Sequence, residues 1–132
     1  MPPRDGPAAI KRRLDYRPPA FLVDRVALEF DLEPAATEVK ATLAFRRNPA
    51  AAPEDRRAPL ALDGEQQEIV RVELGGRALS SAEAIVTSAG LTIPDAPDAG
   101  TLVVRSRTAP ERNVALEGLY VSSGVFCTQC EA

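Results

Sequence analysis

Histidine is absent from this 132-residue chain. A Ser-His-Asp triad, a Cys-His pair and an H-E-x-x-H zinc site are therefore excluded within these residues. With histidine missing, the commonest general base and metal ligand is missing too. Cysteine is nearly absent, with two residues in all, so a disulfide framework is not expected and a reducing compartment fits. No apolar run approaches the roughly 20 residues needed to cross a bilayer, and a membrane partner is not expected. The first nineteen residues, MPPRDGPAAIKRRLDYRPP, lack the apolar centre of a secretory signal, which reads as cytoplasmic. Basic excess is lacking as well. Sixteen Lys and Arg stand against nineteen Asp and Glu, a net charge of −3. No basic stripe beyond short Arg pairs is present, so a nucleic-acid partner is not expected.

Helical periodicity is also scarce. Twelve prolines are scattered through the chain, and no stretch of helical length keeps a 3.6-residue apolar period. What recurs is alternation. Val26, Leu28, Phe30 and Leu32 alternate with Ala27, Glu29 and Asp31, and Val39, Ala41, Leu43 and Phe45 do the same after the short break Glu33-Pro34-Ala35-Ala36. That pattern predicts a β-hairpin. Asn48 to Pro59 reads as an exposed, variable loop. Further short strands are expected at Leu60–Leu62, Glu68–Leu74, Arg77–Leu79, Ala84–Thr87, Leu91–Ile93 and Thr101–Arg107, with Gly75-Gly76 as a turn. The length suits one domain, and the fold class expected is all-β: a sandwich or saddle-shaped, mostly antiparallel sheet.

The chemistry is concentrated in Ala115–Ala132, ALEGLYVSSGVFCTQCEA. Cys127 and Cys130 form C-x-x-C. A redox pair needs a helix N-terminus to lower a thiol pKa, and a zinc knuckle needs two more soft ligands that the chain does not hold. Two small half-buried thiols are the favoured reading. Gln129 and Glu131 lie two apart, so on an extended strand they share a face. A carboxylate beside a carboxamide makes a cradle for an ammonium group, although most such pairs are only solvated. Glu117, set among apolar residues, is expected to fix a turn around Gly118, and Tyr16 to tie down the N-terminal segment. The chain stops on this dense segment, which reads as part of something longer.

Taken in order, Asp15-Tyr16-Arg17 with Pro19, the strand Val26–Leu32, Pro59–Glu65 (PLALDGE), Leu116–Tyr120 (LEGLY) and Cys127–Ala132 (CTQCEA) resemble the start of the bacterial aminopeptidase N family. These are zinc metallo-aminopeptidases of the gluzincin type. The likeness runs through nearly the whole chain, with a longer loop at Asn48–Arg57, and the last two motifs are its most specific part. It implies that residues 1–132 form about two-thirds of an N-terminal β domain, with the catalytic domain, its zinc-binding H-E-x-x-H and the G-x-M-E-N motif all outside the chain. It further implies that Gln129 and Glu131 help to hold the α-amine of a peptide substrate, that this domain packs on its own catalytic domain, and that the isolated chain is inactive. The competing expectation is a stand-alone β-sandwich binding module without catalysis. Unpaired sheet edges lead us to expect self-association of the isolated chain.

Overall fold

The computed structural model describes Ile10 and residues 12–130. The first hairpin forms where alternation predicts it. β1 (Phe21–Asp31) and β2 (Thr37–Arg47) pair antiparallel, with a register shift between Val23 and Arg25. Thr37, fully buried, closes the loop: its hydroxyl donates to the Glu33 carbonyl at 2.8 Å and accepts from the Glu33 amide at 3.2 Å. The remaining strands are β3 (Leu60–Asp63), β4 (Glu68–Leu74), β5 (Arg77–Ala78), β6 (Ile85–Thr87), β7 (Gly90–Ile93), β8 (Ala99–Thr108), β9 (Gly118–Ser122) and β10 (Val125–Gln129). Every ladder among the described residues is antiparallel.

Three sheets result: five strands in the order β1-β2-β8-β4-β5, three in the order β3-β7-β6, and the β9-β10 hairpin. The all-β expectation holds. Period-2 alternation aligns apolar side chains in rows across the large sheet. One row runs Val26, Leu43, Leu102, Leu74; the next runs Leu28, Ala41, Val104, Val72; the third runs Phe30, Val39, Ser106, Ile69. The small sheet packs Leu60, Leu91 and Ile93 against Val72, Leu102 and Val104 of these rows and against Phe45 of β2. The core is therefore a sandwich, centred on Leu102, which is wholly buried. Gly90 is required by close approach, since a Cβ there would collide with the Leu62 carbonyl on β3.

The cover is one-sided. At the β1 end of the same rows, Val26, Leu28 and Phe30 remain 55%, 53% and 50% exposed.

Two sequence expectations need correction. The loop after β2 is anchored rather than simply exposed: Ala51 is buried, Pro53–Asp55 makes a single 3-10 turn, and Arg17 clamps Glu54 and Asp55 at 2.9 and 2.8 Å. The N-terminal segment is thus tied down by Arg17, while Tyr16 is 74% exposed. Arg47, at the end of β2, stacks over the Phe21 ring and donates to the carbonyls of Ala58 and Ala96. One guanidinium so joins two loops to the sheet.

Candidate functional site

The segment that carries the dense motifs folds as a hairpin entered through a clamped turn. After β8 the chain makes a single 3-10 turn, Pro110–Arg112, with Pro110 wholly buried. The Asn113 side chain then donates to the carbonyls of Glu117 (2.7 Å) and Leu119 (2.9 Å). These bonds fold Val114–Glu117 into a tight bend, and Leu116 is held at φ 57. A branched side chain rarely adopts that left-handed conformation, so its presence marks an over-determined turn. The turn role foreseen for the Glu117 carboxylate thus falls to the Asn113 amide: the Glu117 backbone carbonyl is the acceptor, and its side chain is exposed.

β9 and β10 follow, joined by Ser123 and Gly124 at φ 50 and 79. Two residues of positive φ make the primed turn whose twist matches a hairpin. Gln129 lies opposite Gly118 at the open end of this hairpin and is exposed. A Cβ built on Gly118 would meet nothing within 4 Å, so there is open space beside Gln129 on the shared face. Gly118 itself lines a cavity of about 580 Å³, floored by Leu28, Phe30 and Val39 and bounded by Arg112, Asn113 and Glu117. Gln129 is not among the residues that line this space. Glu131, the second residue of the expected cradle, lies outside the described residues.

Cys127 pairs with Tyr120 across the hairpin, half-buried, with its Sγ 3.6 Å from the Val125 carbonyl oxygen. Cys130 is exposed instead of half-buried, and both thiols are free. Cys127 lies within a strand and not at the helix N-terminus that a redox C-x-x-C pair needs. Among the described residues no group of three His, Cys, Asp or Glu side chains converges as a metal site would. These residues do not fit zinc. No helix among them is long and apolar enough to cross a membrane.

The site therefore offers a carboxamide at a strand end, a bend clamped by the Asn113 amide, and an apolar-lined hollow beside the bend. Sequence reasoning missed Asn113 and Leu116. Asn after a Pro-led turn was a usable sign for the former; nothing in composition announces a leucine at positive φ.

No protein-family model matches the chain. It is 42% identical over 128 residues to aminopeptidase N of Caulobacter vibrioides, which covers 97% of this chain and 14% of that protein. To aminopeptidase N of Escherichia coli it is 35% identical over 122 residues, covering 92% of this chain and 13% of that protein. Among solved structures, Legionella pneumophila aminopeptidase A in complex with aspartic acid superposes with a TM-score of 0.81 at 28% identity, over 92% of this chain and 14% of that one. The chain spans about a seventh of the length of the relatives it matches.

Proposed function

We propose, for a chain nearly all of which is similar to a seventh of aminopeptidase N, that it forms most of the N-terminal β domain of a zinc-dependent aminopeptidase acting on peptide N-termini. The observation that carries this reading is 42% identity to an aminopeptidase N across 97% of the chain. In this proposal the domain packs against a catalytic domain outside residues 1–132. That domain holds the zinc, which polarises the scissile carbonyl and activates water. The compartment we propose is the cytoplasm, in keeping with two free thiols.

The role of this chain's own residues is recognition. Gln129 offers its side-chain oxygen to the substrate's α-ammonium, and Glu131 supplies the opposing charge. A partly desolvated carboxylate favours a cation over a neutral amide, which restricts cleavage to free N-termini. The exposed position of Gln129 beside the space above Gly118 supports this role.

In the full-length enzyme, Glu131→Gln and Gln129→Ala are each expected to lower kcat/KM on free-amine substrates with zinc content unchanged. Loss of a hydrogen bond to a charged group, about 1.5–3 kcal/mol, corresponds to roughly 10- to 150-fold. An unchanged rate would refute the role. The 132-residue chain alone should not cleave an aminoacyl chromogenic substrate with added zinc. Reading the gene beyond Ala132 separates the two functional classes. A continuing frame with H-E-x-x-H supports the enzyme, and an immediate stop supports a stand-alone binding module.

A further inference from the structure

Asn113 links two parts of the molecule, and every bond in the link is made within the chain. Its backbone amide donates to the Pro110 carbonyl at 3.2 Å, which seats it at the end of the 3-10 turn Pro110–Arg112. That turn is itself fixed. Pro110 is wholly buried, and the Glu111 amide donates to the Pro34 carbonyl at 3.0 Å, in the loop between β1 and β2. From this base the Asn113 Nδ2 reaches the carbonyls of Glu117 and Leu119, one on each side of Gly118.

Pairs in an antiparallel hairpin alternate between bonded and non-bonded outward from the turn. Counted from Ser122 and Val125, Gly118 and Gln129 form a bonded pair, and Leu119, opposite Thr128, turns its carbonyl outward. Asn113 thus holds the outer edge of β9 while Gln129 pairs on its inner edge. One peptide unit connects them. A trans peptide points its carbonyl and N–H in opposite directions, so the unit whose Glu117 carbonyl Asn113 holds presents the Gly118 N–H to β10. Gly118 cannot fix this plane by itself, having φ 71 and no side chain.

We infer that Asn113 is a positioning residue for recognition of the substrate α-amine, acting through Gly118 on Gln129. Its carboxamide sets where Gln129 stands, and so where the Gln129 side-chain oxygen meets the ammonium. This role presupposes the one proposed for Gln129 and adds the group that aims it.

Inhibition of the full-length enzyme by leucine hydroxamate, and by the same hydroxamate without its α-amine, tests it, with zinc content and circular dichroism to check each variant. The ratio of the two inhibition constants reports the advantage that the amine confers. Gln129→Ala should cut that advantage about tenfold. Asn113→Asp, which removes the donor, should cut it by a similar factor while the amine-free hydroxamate binds as before. The double variant should lose no more than Gln129→Ala alone, because both act on one contact. Asn113→Ser keeps a hydroxyl donor and should fall between the unaltered enzyme and Asn113→Asp. Should the Asp variant not fold, the Ser variant must still reduce the advantage and add nothing to Gln129→Ala. A folded Asn113 variant that keeps the full advantage, weakens both hydroxamates equally, or adds to Gln129→Ala overturns the positioning role and leaves that of Gln129 standing. An advantage untouched by Gln129→Ala overturns both.

Discussion

Ser80 and Glu83 exchange hydrogen bonds in the turn before β6: the Ser80 amide donates to the Glu83 carboxylate at 3.2 Å, and the Glu83 amide donates to the Ser80 hydroxyl at 3.3 Å. The spacing is that of a capping box. Arg77 adds two hydrogen bonds from the other side, at 3.2 and 2.7 Å. Chiefly through the Arg77 hydrogen bonds, and then through the Ser80 amide, the Glu83 carboxyl falls from 4.5 to about 2. The group is exposed, so solvent screens the pair and its share of stability is small. Its sign is nonetheless fixed. A lowered folded-state pKa means a contribution fully present above about pH 4.5 and lost as the pH falls through about 2. An NMR titration of the Glu83 side chain should show the depressed midpoint, and Arg77→Ala should return most of it toward the ordinary value. At this scale the sequence was only partly legible. The partner choices of Arg17 and Arg47 were not readable. A long guanidinium reaches residues distant in sequence, and only folding decides which carboxylate or carbonyl it meets.

Strand positions were legible because each strand with one buried face writes itself as alternation. β1, β2, β4 and β8 follow this rule, and β1 to β8 each overlap an expected range, whereas β9 and β10 have none. Gly75-Gly76 announced the β4–β5 turn, with φ values of 59 and 81. The bend before β9 was not legible, since it depends on one amide rather than on a pattern. The Asn113 Nδ2 serves two carbonyls, and its Oδ1 is buried without a hydrogen-bond partner. That arrangement fixes what substitution does. Asn113→Asp turns the donor into a carboxylate facing two carbonyl oxygens, leaving both unsatisfied and a charge half-buried. It should cost roughly 1–3 kcal/mol in a urea melt, and more than Asn113→Ser, which keeps a hydroxyl donor. Because the bend sets where β9 begins, the Asp variant should also broaden the amide resonances of Gly118–Ser122 relative to those of β4. Equal stability of the two variants would show that the clamp is incidental.

Across the molecule, burial is lopsided, and the lopsidedness is the property that individual strands could not reveal. Alternation marks Leu28 and Leu102 alike as members of an apolar face, and the ladder sets them in adjacent rows of one sheet. Which of them is covered depends on where the three-stranded sheet lies, a long-range outcome with no local signature. It lies over β8 and β4, so Leu102 is wholly buried while Leu28 is 53% exposed. Equal substitutions should therefore have unequal costs. Leu102→Ala removes a side chain packed on every side and leaves a cavity, which should cost about 2–5 kcal/mol. Leu28→Ala gives up contact on one side only and should cost less than about 1.5 kcal/mol, measured at dilution where association is negligible. Denaturant melts of both variants decide the point. A Leu28→Ala loss matching that of Leu102→Ala would mean that the β1 end of the sheet is covered as fully as its centre.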